Sequence, residues 1–393
     1  MKITNLSLAA IAAMAFTTGA MADVDMKVGG QATIYYQTVE NGGDTDFFDQ
    51  GNSQANVGLQ LNVNADLGNG FGLGAQGTAL GTAGLENELV SKTMQSADGS
   101  LNGAALTKAY LTKKIANTTL KIGRQELPKS LSPLAFSENW NVYKNTFDAV
   151  VAINTDIPDT TVVGAYVSKS NGHKNLSSFN NVSANAAGNP TSINKGAYML
   201  TVANKSSKMA QPTLSYYALR DIAGADSGSA IWADVQVDAD LPVKLGLQGG
   251  QIDPSNKLDK TTAYGAKLTG KASNVALKLA YTSVDDGAVS VQNVGTGIKT
   301  PLYTQMVANQ GAISSDADTV VLQAAMPLAV GKIIAQYGLT SDNSAAENDY
   351  NELDLLYKFK ALGTNMLVAY VRADADNAKD PANIIRVWSR YNF

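Results

Sequence analysis

From residue 55 to residue 67 the chain keeps a strict period of two. Ala55, Val57, Leu59, Leu61, Val63, Ala65 and Leu67 take the odd positions, and Asn56, Gly58, Gln60, Asn62, Asn64 and Asp66 the even ones. Thirteen residues without a slip describe a strand with one apolar and one wet face. Gly68-Asn69-Gly70 then makes a tight turn, after which Phe71, Leu73 and Ala75 resume the alternation. The same pattern recurs at Ile231–Leu241, Val275–Tyr281 and Leu353–Phe359. Further strands start near residues 30, 104, 118, 146, 160, 195, 212, 243, 262, 317, 332, 365 and 383, about eighteen in all.

The connections between these strands alternate in length. Long links near 41–53, 81–103, 126–145, 170–194, 221–228, 253–261, 285–316, 341–349 and 373–382 are separated by short ones, such as 115–118 and 271–274. A soluble sandwich has no reason to gather its long loops at one end. A transmembrane antiparallel β-barrel does, with short periplasmic turns and long external loops. Mean hydropathy of −0.09 does not argue against this, because barrel strands give a far weaker hydropathy signal than membrane helices.

The first residues bear on the compartment. Lys2, the apolar-rich run Leu6–Phe16 and the small residues Ala20-Met21-Ala22 have the order of a secretory signal peptide. Residues 1–22 are expected to be a leader, and residues 23–393 one barrel domain. Without Lys2 the chain carries 29 cations against 34 anions, a modest net −5 that argues against nucleic acid as a partner. There is no cysteine, which removes disulfide scaffolds and thiolate chemistry. The single histidine, His173 in "KSNGHKN", has no nucleophile beside it, so neither an enzyme nor a multi-histidine metal site is expected. No cofactor is indicated.

The stretch "LKIGRQELPKSLSPLAFSENWNVYKNTFDAVVAINTDIPDTTVVGAYVSK" (120–169) resembles OprD-like outer-membrane porins, and most of all the major outer-membrane porins of campylobacter-type bacteria. "GRQ" at 123–125, "NTFDA" at 145–149, "IPDTT" at 157–161 and "VGAY" at 163–166 carry the likeness. It implies an all-β barrel of about 18 strands in the outer membrane of a Gram-negative bacterium, narrowed by an inward-folded third external loop. That loop would be 126–145, with Glu126, Lys129, Glu138, Trp140, Tyr143 and Lys144. The resemblance also implies that the terminal aromatic Phe393 is read as a signal by barrel-assembly machinery, and that the protein forms a homotrimer. A girdle role at the membrane interface fits Phe393 equally well.

A barrel of this size keeps an aqueous channel, so the expected partners are membrane lipid outside and small polar solutes and ions within. With the apolar face of each strand turned outward, the pore-lining candidates are Lys121, Lys244, Lys267, Lys278, Lys358, Arg386 and Arg390, with the acids Asp234, Asp238 and Asp354. As the resemblance implies, basic groups on one wall and acids on the loop would set a transverse field across the pore. Of five arginines, Arg124 shares parity with Leu120 and Ile122 and is reconciled only at a strand end or bulge. The net charge leans toward cation preference. The competing reading, a secreted or surface-layer adhesin, predicts no regular alternation of loop lengths.

Overall fold

The computed structural model describes residues 25–393 apart from 44, 100, 140, 173, 185–190, 194–195, 223–224, 239–241 and 255–257. The expected leader therefore lies outside the described residues, as do Trp140 and His173.

Eighteen long antiparallel strands form the wall. They are β1 (Asp25–Glu40), β2 (Ser53–Gly68), β3 (Phe71–Gly81), β4 (Gly103–Ile115), β5 (Thr118–Gln125), β6 (Phe147–Asn154) and β7 (Thr160–Ser170), then β10 (Ala197–Asn204), β11 (Ala210–Ile222), β12 (Ala225–Val237) and β13 (Val243–Asp253). After these come β14 (Thr261–Ala272), β15 (Val275–Val284), β16 (Ala317–Leu328), β17 (Gly331–Asp342), β18 (Tyr350–Ala361), β19 (Thr364–Ala375) and β20 (Ala382–Asn392). Two short strands, β8 (Asn180–Ala184) and β9 (Thr191–Ile193), form a hairpin in the fourth external loop between β7 and β10. Each wall strand pairs with the next, and β1 pairs with β20 from Gln31↔Asn392 to Glu40↔Asn383. The sheet thus closes on itself and leaves no free edge, as lipid requires of a spanning sheet.

The turns at one end are short because the sequence supplies the backbone conformations they need. Asn69-Gly70 and Leu362-Gly363 both sit at positive φ, as two-residue hairpins of matching twist demand. At the other end the links are long, with one exception. The long link expected near 221–228 is absent among the described residues, since β11 runs to Ile222, β12 begins at Ala225, and the two pair as Arg220↔Ser227 and Ile222↔Ala225.

The outer face is the predicted apolar one. Ile34, Val57, Leu59, Leu111, Ile122, Leu200, Ile231, Leu247, Leu268, Leu279, Leu322 and Leu355 are all exposed. Aromatic pairs border this belt: Tyr166–Tyr198 and Tyr264–Tyr281 toward the long loops, Tyr357–Phe359 and Tyr391–Phe393 toward the short turns. That is the band-and-girdle pattern of a lipid-facing barrel surface. Arg124, Arg220 and Arg372 also have outward parity but stand near the external strand ends. Arg124 is held there by Asp148 at 2.9 Å and by the Leu106 carbonyl.

Inside, the barrel departs from simple alternation. On β6, β7, β10, β11 and β12 the inward side chains include Phe147, Ala149, Val151, Val163, Ala165, Val167, Met199, Tyr217, Leu219, Ala230 and Trp232, all buried. They pack against Leu127, Leu134 and Ala135 of the third external loop (L3, 126–146) and against Val289, Val291, Leu302 and Ile313 of the seventh (L7, 285–316). On this side the lumen wall is therefore a dry core made between strands and two inward-folded loops.

Candidate functional site

L3 leaves β5 at Gln125 and re-enters the wall at Phe147, and its path across the lumen is fixed by main-chain bonds. The Arg390 guanidinium, from β20, donates to the carbonyls of Asn141 and Val142 at 3.0 and 3.1 Å. The Tyr143 hydroxyl donates to the Gln31 carbonyl of β1. Gln95, in the second external loop (L2, 82–102), acts as a strand would. Its side-chain amide donates to the Tyr143 carbonyl at 3.1 Å and accepts the Tyr143 N–H at 2.9 Å. Asn56 of β2 returns the same pair of bonds to the Gln95 backbone. Burial pushes the Tyr143 phenol up to about 12, so it stays a neutral donor.

L7 folds inward as well, which the spacing of strands does not announce. It joins L3 through paired amides: Asn293 accepts the Phe136 N–H at 3.0 Å and donates to the Phe136 carbonyl at 2.8 Å. The Val294 N–H donates to the Leu134 carbonyl, and the Lys129 ammonium to the Thr300 carbonyl at 2.9 Å. Further on, Tyr303 meets the wall. Its hydroxyl donates to Asp234 of β12 at 2.6 Å and accepts from Gln236 at 2.8 Å. Lys278 donates to the Tyr303 carbonyl, and the Lys267 ammonium lies 4.0 Å from the Tyr303 ring centroid. Burial, then the Asp234 carboxylate, holds the Tyr303 phenol far above its ordinary range.

The two loops leave space on both sides. Toward the short turns lies a cavity of about 640 Å³, bordered by Lys129, Lys205, Lys267, Lys278, Asp234 and Trp232 among others. Toward the long loops a second cavity, of about 600 Å³, is bordered by Gln54, Lys92, Met94, Asn141 and Lys174.

The sequence-predicted residues divide among these settings. Lys129, Lys267, Lys278 and Asp234 converge on the first cavity. Lys121 lies 3.8 Å from the Tyr110 ring centroid. Lys358 is exposed near the short-turn end of β18, opposite Lys332 in register. Asp238 lies just past the end of β12, paired with Lys244 at the short-turn rim. Arg386 is only 7% exposed and donates twice to Gln37. Asp354 is fully buried beneath L7.

The loop acids do not face the wall as open charges. Glu126 lies between Lys108 and Lys144. Its burial alone would raise the carboxyl, but the two ammonium groups outweigh it and leave the group below its usual range. Glu138 is buried, and its charge opposes the shift of Lys299 of L7, whose ammonium is pulled down by burial. Burial likewise lowers Lys129, to about 8, with Asp234 opposing the shift.

Phe393 continues the closing ladder, exchanging main-chain bonds with Gly30 at 2.8 and 3.1 Å. Its ring covers Gly30, where any side chain would strike both the ring and the Gln60 carbonyl. Among the described residues, no group of three or more His, Asp or Glu gathers around a metal position, and no helix is long and apolar enough to cross a membrane.

Tyr303, Gln95, Lys205 and Glu352 went unnoticed in the sequence. The available signal was the composition of 285–316, in which Val289, Val291, Val294, Ile298, Leu302 and Ile313 are too apolar for a solvated loop.

Comparison with solved structures agrees with this architecture. Pseudomonas aeruginosa OccK8 (OprE) matches with a TM-score of 0.75 at 13% identity, over 94% of this chain and 98% of that one. P. aeruginosa OccK1 (OpdK) gives 0.76 at 12% over the same shares, and Acinetobacter baumannii OccAB3 gives 0.74 at 14% over 94% and 99%. At such identities the likeness speaks for the fold, a closed eighteen-stranded barrel. No curated protein matches by sequence. The family model of the Gram-negative porins, however, covers residues 8–393. The chain belongs to the Gram-negative porins, outer-membrane channels for small solutes.

Proposed function

We propose that this channel favours small anionic solutes, and that the cavity beneath the two loops is where the preference is set. The observation that carries the reading is the charge of that cavity: Lys129, Lys205, Lys267 and Lys278 against the single acid Asp234, which is already engaged by Tyr303. Rings of fixed charge at close quarters repel ions of their own sign and concentrate the other. The net −5 of the chain does not weigh against this, because many of its acids, such as Asp285, Asp286, Asp342, Asp349 and Asp376, lie in or beside the external links. One of the similar solved structures is of P. aeruginosa OpdK with vanillate, and a small aromatic carboxylate is a fitting trial solute here.

In this reading Lys267, Lys278, Lys121, Asp234 and Lys358 line the water path, with Lys244 and Asp238 at its periplasmic rim. Glu126, Lys129, Glu138, Trp140 and Lys144 belong to the constriction. Arg386 and Arg390 act by bracing L3 and β1, more than by meeting solute. The chain works as a passive channel and not as an enzyme. Phe393 is read by the barrel-assembly machinery, the outer belt meets lipid, and the protein assembles as a homotrimer after loss of residues 1–22.

Planar-bilayer recording in a salt gradient tests the selectivity. Neutralising Lys267 and Lys278 together as Gln should move the reversal potential toward cations, whereas Arg386→Gln should leave it close to wild type. An unmoved potential in the lysine pair would sink the assignment.

A further inference from the structure

Glu352 and Asp354 stand two residues apart on β18, both directed inward and both fully buried. A carboxylate taken out of water persists only where donors surround it. Here L7 supplies them from its main chain. The Ala308 N–H donates to Glu352 Oε1 at 2.8 Å, and the Val307 N–H to Asp354 Oδ2 at 3.2 Å. The wall adds two donors: the Tyr350 hydroxyl donates to Glu352 Oε2 at 2.7 Å, and the Gln336 amide to Asp354 Oδ2, while Asp354 Oδ1 is left without one. Just before these two residues, Met306 rests on Gly338 of β17, opposite Glu352 in register, where any side chain would strike its sulfur. Consecutive N–H groups aimed at neighbouring carboxylates make a clasp.

We propose that Glu352 and Asp354 are positioning residues for permeation, holding the apex of L7 against β17 and β18 and so limiting the water path on that side. This rests on the reading of the chain as a channel. At the Tyr303 anchor L7 is pinned to β12–β15; at the clasp it meets a wall whose inward groups include Gln323, Gln336 and Thr340. Release of the clasp alone would therefore open space beside these polar groups, next to the apolar cluster of Ile334, Leu356, Leu367 and Ala369 on which Val307 packs.

The clasp is sensitive to protonation, because a charged acceptor binds an N–H about twice as strongly as a neutral one. Two further titratable groups face the pair, Tyr350 on β18 and Lys299 on L7, and Lys299 in turn feels Glu138 of L3 and Arg386 of β20. Lys299 also donates to the Met306 carbonyl at 2.8 Å, so it stiffens the same turn.

Single-channel recording of three variants decides the matter, with heat-modifiable migration confirming that each barrel is folded. Glu352→Ala with Asp354→Ala removes the acceptors. Ala308→Pro removes a donor from the loop side and leaves the wall untouched. Glu352→Gln with Asp354→Asn keeps the acceptors but cannot titrate. The alanine pair and the proline variant should each raise conductance about twofold, with more open-channel noise. Wild type should rise in the same way as pH is lowered from about 9 to about 4, and the amide pair should stay flat. Unchanged or lower conductance in the proline variant and the alanine pair, or a wild-type pH profile in the amide pair, overturns the proposal. Absence of channels in wild type would refute the channel reading instead.

Discussion

Lys129 shows how one side chain can do two jobs in a channel. Its ammonium ties L3 to L7 through the Thr300 carbonyl and adds charge to the lower cavity. Burial lowers it to about 8, so the charge is present at neutral pH and is lost as pH rises through that value. Anion preference should therefore weaken between about pH 7 and about pH 9, read as reversal potential. Lys129→Arg, which stays charged throughout, should abolish that part of the slope. A wild-type potential constant over the window would show that Lys129 does not reach the permeating ions. Arg390 makes the opposite point. Its alternation with Trp388 and Arg386 suggested a free lumen charge, yet the guanidinium is spent on two L3 carbonyls. Parity tells which face a side chain leaves from; only the loop beyond it decides what it meets.

The elements divide by how much of their environment was local. Strands β2, β14, β15 and β18 read correctly because their two faces differ, an exposed apolar one outside and polar groups inside, as barrel strands require. On β6, β7 and β10 both faces are apolar, as in "FDAVVAIN" and "TTVVGAY", since the inward one is covered by L3 and L7. No period marks that difference. The inward course of L3 was expected from family likeness, whereas that of L7 depended on contacts far apart in sequence, such as Asn293 with Phe136, 157 residues away. The clamp between L2 and L3 carries a prediction at this scale. Replacing Gln95 by Ala leaves the buried Tyr143 N–H and carbonyl without that partner, at about 1–3 kcal/mol for each. Current fluctuations should increase while heat-modifiable migration of the barrel is retained. Quiet channels in this variant would mean that L3 holds itself.

For the molecule as a whole, the seam between β1 and β20 decides whether there is a barrel at all. Gly30 and Phe393 join across it, with the ring filling the place of the missing Gly30 side chain. Phe393→Ala keeps the main-chain bonds but uncovers Gly30, so the heat-modifiable form should melt at a lower temperature. Gly30→Val should be worse, because the ring and the Gln60 carbonyl leave it no room. Equal melting of Phe393→Ala and wild type would confine the residue to recognition during assembly.

The dry contact between L7 and the wall limits what enlarging this channel could achieve. Deleting the whole loop would bare Trp232, Ile252, Val284 and their neighbours to the inside of a tube. Ions avoid greasy walls, so the vacated volume beside those residues would conduct poorly, and only the strip along Asp234, Lys267 and Lys278 would carry current well. A wider hole drawn on paper would then carry less current than expected from its diameter.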